Sequence, residues 1–224
     1  MLISYEHKFI FFHVAKVAGL SIRDALKNYT QEPEVFKIRR PPKQLDGKPN
    51  PLYAMWEAFI IHAKARDTKK ELPETVYNDF YKFAFVRNPW DWQVSMYHFI
   101  LKETGHVKHK MVKSMASFEE YLEWIVKTKN PYAKGATKFQ KDMVTDKDGK
   151  LIVDFIGKYE TLAQDFQHIC KVLNINASLP SLNRTKHKDY RSYYTERAKE
   201  IVKEHFKEDI ELFGYTFDGY LPIK

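Results

Sequence analysis

Hydrophobic positions change their spacing along the chain, and the changes mark out elements. Phe9, Ile10, Phe11, Phe12 and Val14 form a nearly unbroken apolar run. A run of that length suits a strand buried on both faces. A short polar elbow with Lys16, Gly19 and Ser21 follows. Beyond it, Ile22, Ala25 and Leu26 recur at the three- and four-residue spacing of one helix face. The same succession returns further on. Phe83–Val86 is a short apolar strand with Arg87 at its end, Asn88 suits an N-cap and Pro89 the first helical position. Trp90, Val94, Tyr97 and Leu101 mark the inward face of that second helix. A third strand is expected over Leu151–Ile156, after the turn residues Asp146, Lys147, Asp148 and Gly149. Helices are expected over Phe118–Val126, over Thr161–Leu173, in one or two pieces between Asp67 and Phe80, and over Thr195–Phe217 closed by Gly214. Strand–loop–helix units in this order predict the fold class: a three-layer α/β domain with a mainly parallel central sheet flanked by helices. Residues 1–224 are expected to form a single domain.

Between residues 30 and 52 the pattern breaks. Prolines stand at 33, 41, 42, 49 and 51, with the basic cluster Lys37, Arg39, Arg40 and Lys43. The segment reads as a loop, either a lid over an anionic ligand or a solvated connector.

Composition narrows the partners. A net charge of +8 favours an anionic cofactor, an anionic acceptor or a nucleic-acid backbone, without choosing among them. The single cysteine excludes an internal disulfide, and Cys170 shares a helix face with Phe166, Ile169 and Leu173 as a structural thiol would. Glu6, His7 and Lys8 ahead of a short apolar run fit neither a signal peptide nor a membrane span, so a cytoplasmic setting is expected.

Candidate chemistry sits at the two elbows. In the first, loop N–H groups and a helix N-terminus favour an anion. Gly19 permits close backbone approach or a positive φ, Lys16 adds a mobile cation and Ser21 a hydroxyl. The nucleotide-triphosphatase pattern places Lys directly after its second glycine, whereas Lys16 precedes the only glycine here. The loop is therefore either a phosphate or sulfate cradle of another kind, or an ordinary βα connection with a surface lysine. At the second elbow, Arg87 and Ser95, about two turns into the helix, could converge on a second phosphate.

The segments AKVAGLS and VRNPWDWQVSMY resemble the cofactor signatures of PAPS-dependent sulfotransferases, nearest to the carbohydrate (heparan/chondroitin-like) branch and its bacterial relatives. In that family the first loop usually reads near PKTGGTS and binds the 5′-phosphosulfate. The second, Arg-Asn-Pro with a downstream Ser, binds the 3′-phosphate. The resemblance continues through FIIHAKARD, DFIGKYETLAQDF and the closing DIELFGYTF, so it covers most of the chain. It implies a P-loop-like fold, PAPS as donor and PAP as product, with no metal.

It also implies a set of site residues. Lys16, Val17, Ala18, Gly19, Leu20 and Ser21 would hold the 5′ end, and Arg87 with Ser95 the 3′-phosphate. Arg184 and Lys186, from a late loop, would add cations there. Lys16 and His62 would be catalytic. Sulfuryl transfer needs the acceptor hydroxyl deprotonated as it attacks, and an imidazole titrates near neutrality. A hydrogen-bonded core histidine is the other reading of His62. The implied partner is a hydroxyl-bearing acceptor, a glycan or small molecule, rather than nucleic acid. Departures from the family pattern are Ala15 for Pro, Ala18 for Gly, Leu20 for Thr, and Lys158-Tyr159-Glu160 for Arg-Phe-Glu. Leu20 lacks the threonine hydroxyl, which removes one cofactor contact. Two other classes stay open on the residues alone. A P-loop kinase-like phosphotransferase lacks the required Gly-Lys-Ser/Thr order and a clear magnesium ligand, and a basic nucleic-acid-binding protein lacks a recognised motif.

Overall fold

The structure is a computed structural model that describes residues 1–31, 41–132, 136–180 and 188–221. Lys37, Arg39, Arg40, Arg184 and Lys186 lie outside the described residues. Strands β1 (Leu2–Ser4) and β2 (Phe9–Phe12) lead into α1 (Gly19–Leu26). A small hairpin, β3 (Gln44–Leu45) and β4 (Lys48–Pro49), precedes α2 (Pro51–Ile61), α3 (Ala65–Glu71) and α4 (Glu74–Asp79). Next come β5 (Tyr81–Val86), α5 (Pro89–Lys102), α6 (His109–Lys113) and α7 (Phe118–Lys127). The described chain ends with β6 (Phe155–Lys158), α8 (Leu162–Val172), α9 (Glu196–His205), α10 (Lys207–Phe213) and the hairpin β7 (Tyr215–Thr216) and β8 (Gly219–Tyr220).

The central sheet has the order β1-β2-β5-β6. β2, β5 and β6 run parallel, and β1 lies antiparallel on the edge. Its register places Phe11 beside Phe83 and Phe83 beside Phe155. Phe9, Phe11, Phe83 and Phe85 are wholly buried, which explains why these strands read as continuous apolar runs. Gly157 is needed at its place in β6, because a Cβ there would lie 2.4 Å from the Phe85 ring. Since β2 and β5 are parallel neighbours, both their carboxyl ends open at the same edge of the sheet. Ligands of such folds bind at that edge. The α/β architecture expected from the alternating pattern is therefore the one found.

Three boundaries differ from the sequence reading. The third strand begins at Phe155, not Leu151. Leu151 instead bridges to Thr145 across the 146–149 turn, and the chain joins β5 only where Asp154 exchanges hydrogen bonds with Lys82. The final segment is not one helix. It breaks at Phe206 into α9 and α10, Gly214 caps α10 at φ +66°, and a hairpin follows. The break turns Asp209 into the interior, where its carboxylate has partners described below. The loop expected over 30–52 also ends early, because 44–49 form a hairpin and Pro51 opens α2. Pro suits that first helical position, where its missing N–H costs nothing. Among the described residues no helix is long and apolar enough to cross a membrane.

Candidate active site

The first elbow, residues 13–18, is a tight loop between β2 and α1. Lys16 and Ala18 have φ of +64° and +60°, the left-handed region that disfavours a Cβ. The Ala18 carbonyl accepts from the N–H groups of Ser21 and Ile22 at 2.9 and 3.1 Å, which starts the helix. The N–H groups of Gly19 and Leu20 stand in that first turn, where no intrahelical acceptor exists. Gly19 does not supply the positive φ; it permits close approach. A Cβ on it would lie 1.9 Å from His13 Nε2, so the imidazole fills the space a side chain would take. Ser21 and Val17 are buried, and Leu20 is 77 % exposed. Trp92 on α5 fixes the start of the loop by donating its indole N–H to the Ala15 carbonyl at 2.7 Å.

Arg87 stands one residue beyond β5. Its Nε donates to Asp91 Oδ2 at 2.7 Å, and its guanidinium lies 4.1 Å over the Tyr159 ring. Its Nη1 donates to the Lys16 carbonyl at 3.3 Å. Among the described residues Nη2 has no partner. The side chain is thus buried, aimed by three neighbours and left with donor capacity, as an anion-binding arginine requires. Asn88 caps α5 through its Oδ1, which accepts from Trp90 N, while its Nδ2 donates to Thr216 and Gly219 carbonyls of the terminal hairpin. Glu160 accepts from Asn88 N and from the Tyr215 hydroxyl. Ser95 lies one helical turn beyond Asp91, on the face that meets Arg87, and is buried.

Lys16 extends its ammonium over the Phe99 ring at 4.5 Å. Burial lowers its pKa, and the Arg87 charge lowers it further. Two cations are thus held close enough to repel, a cost that a bound polyanion would relieve. His62 follows directly on α2. Its ring meets that of His13 at 5.3 Å between centroids, and the Nδ1 atoms of both rings are buried and have no hydrogen-bond partner among the described residues. Burial lowers both imidazole pKa values, so both rings are neutral near pH 7. His62 therefore joins the loop through His13.

The structure brings Lys16 to Ser21 together with Arg87 and sets His62 beside the loop's base, while Ser95 lies one turn beyond Asp91. Several members of this site carry no role in the sequence reading. Asp91 was legible as an i,i+4 partner of Arg87, and His13 as a polar residue ending an apolar strand. Tyr159 and Gln140 become site members only through tertiary contact.

The fold and the sequence pattern have known counterparts. A model of the sulfotransferase family matches residues 1–216. The mouse sulfotransferase SULT7A1, solved in complex with PAP, shares the fold with a TM-score of 0.50. At 15 % identity, the alignment covers 93 % of this chain and 85 % of that one. No curated protein sequence gives a significant match. With the family pattern running through almost the entire sequence and the fold in agreement, the chain belongs to the sulfotransferase family.

Proposed function

We propose that this protein transfers a sulfuryl group from PAPS to a hydroxyl on a carbohydrate, with Lys16 and Arg87 holding opposite ends of the nucleotide. The observation that carries this reading is the contact between Arg87 Nη1 and the Lys16 carbonyl. It joins two cationic loops into one site suited to a nucleotide phosphorylated at both ends. PAPS, when bound, supplies the activated sulfuryl group and leaves as PAP. The backbone of Val17, Ala18, Gly19 and Leu20, with Lys16 and the Ser21 hydroxyl, holds the 5′ end. Arg87 and Ser95 hold the 3′-phosphate, and Arg184 and Lys186 add cations to it. Lys16 offsets negative charge growing on the leaving oxygen. Neutral His62 takes the proton of the acceptor hydroxyl. No role in this mechanism falls to a metal. Exposed Lys102, Lys110 and Lys113, on α5 and α6 beyond Phe99, favour an anionic glycan as acceptor. We read residues 1–224 as one domain and a reducing, cytoplasmic setting as consistent with its one buried thiol.

Calorimetric titration with PAP, ADP and AMP tests the reading. PAP should bind at least ~10-fold more tightly than ADP, since a charge-assisted hydrogen bond to a phosphate contributes about 1.5–3 kcal/mol. Equal affinities would overturn it and favour a phosphotransferase.

The role of His62 has its own signature. Because burial lowers its pKa, the base form persists as pH falls through 6.5, and turnover should decline only at more acidic values. His62→Ala should lower kcat by ~10²–10⁴-fold and abolish that acid limb, with PAP affinity kept. Weakened PAP binding with an unchanged pH profile would instead make His62 a structural residue.

A further inference from the structure

The backbone of Arg87 runs one residue past the end of its strand. Pairing of β5 with β6 ends at Val86 and Lys158, so Arg87 has no strand neighbour there. Its N–H and C=O are nevertheless buried, and buried backbone groups need partners. Both partners come from one side chain. The N–H of Arg87 donates to Gln140 Oε1 at 2.9 Å, and Gln140 Nε2 donates to the Arg87 carbonyl at 2.8 Å. A single carboxamide thus takes the place of a neighbouring strand and fixes the backbone from which the guanidinium projects.

Gln140 is in turn immobilised. It is 0 % exposed, and its own N–H donates to Asp209 Oδ2 at 2.8 Å. The N–H of Lys141 donates to the other oxygen of the same carboxylate, also at 2.8 Å. Asp209 lies on α10, 1 % exposed, at the element whose separation from α9 breaks the expected long helix. Lys141 adds an ion pair to Glu208 at 2.9 Å on that helix. Three segments far apart in sequence therefore meet in one chain of hydrogen bonds: Asp209, then Gln140, then Arg87. Burying an amide and a carboxylate is costly unless every hydrogen bond is made. Here the network ends on the residue whose side chain is assigned to the ligand.

We propose that Gln140 is a positioning residue for the 3′-phosphate site, held in place by Asp209 and acting through the backbone of Arg87. The proposal rests on the assignment of Arg87 to the 3′-phosphate. A recognition site that is loose by about 1 Å loses much of its selectivity, and Gln140 supplies the restraint that the sheet does not. Its effect should therefore appear in the preference for PAP over ADP, which carries both phosphates at the 5′ end and none at the 3′ position, rather than in nucleotide affinity at large.

The experiment compares PAP and ADP titrations of the wild type, Arg87→Ala and Gln140→Met, with thermal unfolding of each recorded alongside. Met is neutral, unbranched and close to Gln in volume, so it removes both hydrogen bonds without adding charge. The expected result is a roughly tenfold fall in the PAP:ADP affinity ratio for Gln140→Met, with ADP affinity little changed. A role confined to stability would lower Tm while the ratio stayed at the wild-type value, and that outcome would overturn the proposal. So would PAP and ADP weakening in step. Should Gln140→Met fail to fold, Asp209→Asn serves as the second variant. It keeps the shape but opposes an amide N–H to one of the two backbone donors, and a smaller fall in the same ratio is expected. An unchanged ratio in a folded Asp209→Asn overturns the proposal. A wild type without preference for PAP would defeat the underlying assignment as well. A wild-type preference that Arg87→Ala abolishes and Gln140→Met retains would defeat the proposal alone.

Discussion

Arg87→Ala should lower PAP affinity by at least ~30-fold and leave ADP affinity nearly unchanged. The magnitude follows from what the guanidinium does in place. It is buried, aimed by Asp91, stacked on Tyr159 and tied to the Lys16 carbonyl, with Nη2 unengaged among the described residues. Truncating one partner of a buried, hydrogen-bonded charge pair costs about 2–5 kcal/mol, part of it from the charge left behind. That residue of the cost is identifiable here. Without Arg87, the carboxylate of Asp91 would remain in the site and repel the phosphate. Arg87→Ala combined with Asp91→Asn should therefore recover part of the lost affinity, while Asp91→Asn alone should weaken PAP binding modestly by releasing the guanidinium. Arg87→Lys should rescue poorly, because an ammonium provides neither the planar fork nor the same stacking on Tyr159. Unchanged PAP affinity in Arg87→Ala would remove Arg87 from the 3′-phosphate site.

The same residue shows how far the sequence could be read. Its place after an apolar strand and before Asn88-Pro89 was legible, because strand, N-cap and first-turn proline are local signals. The parallel neighbours were legible for the same reason: Phe9–Phe12 and Phe83–Val86 are apolar on both faces. What holds Arg87 was not. Gln140 sits 53 residues away in a stretch with no periodicity, and its selection depends on a backbone left unpaired at the end of a strand. Nor could spacing predict the break between α9 and α10. Ala198, Ile201 and Val202 keep one helical phase, yet burying Asp209 against Gln140 and Lys141 requires the axis to turn.

Gly19 gives a different lesson, since close approach and a positive φ stay equally open in the sequence and only the fold chooses between them. Glycine in a loop suggests positive φ, but here Lys16 and Ala18 carry the left-handed backbone, and Gly19 is required by the imidazole packed against it. Nothing local announces that His13 points under the loop instead of away from it.

The left-handed backbone at Lys16 also shapes the second large prediction. Lys16→Met should lower kcat by ~10²–10³-fold with little effect on the binding of PAP, which lacks the transferred group. Met is the informative replacement. Like Lys, it carries a Cβ at φ +64°, so the strain of the loop is unchanged, and its unbranched side chain can still cover Phe99. A fall in kcat then measures the charge alone. Removing that charge also relieves repulsion on Arg87, since the two cations lie close enough to lower the lysine pKa. PAP binding should be weakened by much less than kcat, because PAP lacks the sulfuryl group and the developing charge on the leaving oxygen that the ammonium offsets. Lys16→Gly would confuse the comparison, for it relaxes the backbone as it deletes the side chain. If Lys16→Met and the wild type turned over at the same rate, the ammonium would be only a packing element on Phe99, and the charge opposing the leaving oxygen would have to come from the helix N-terminus at Gly19 and Leu20.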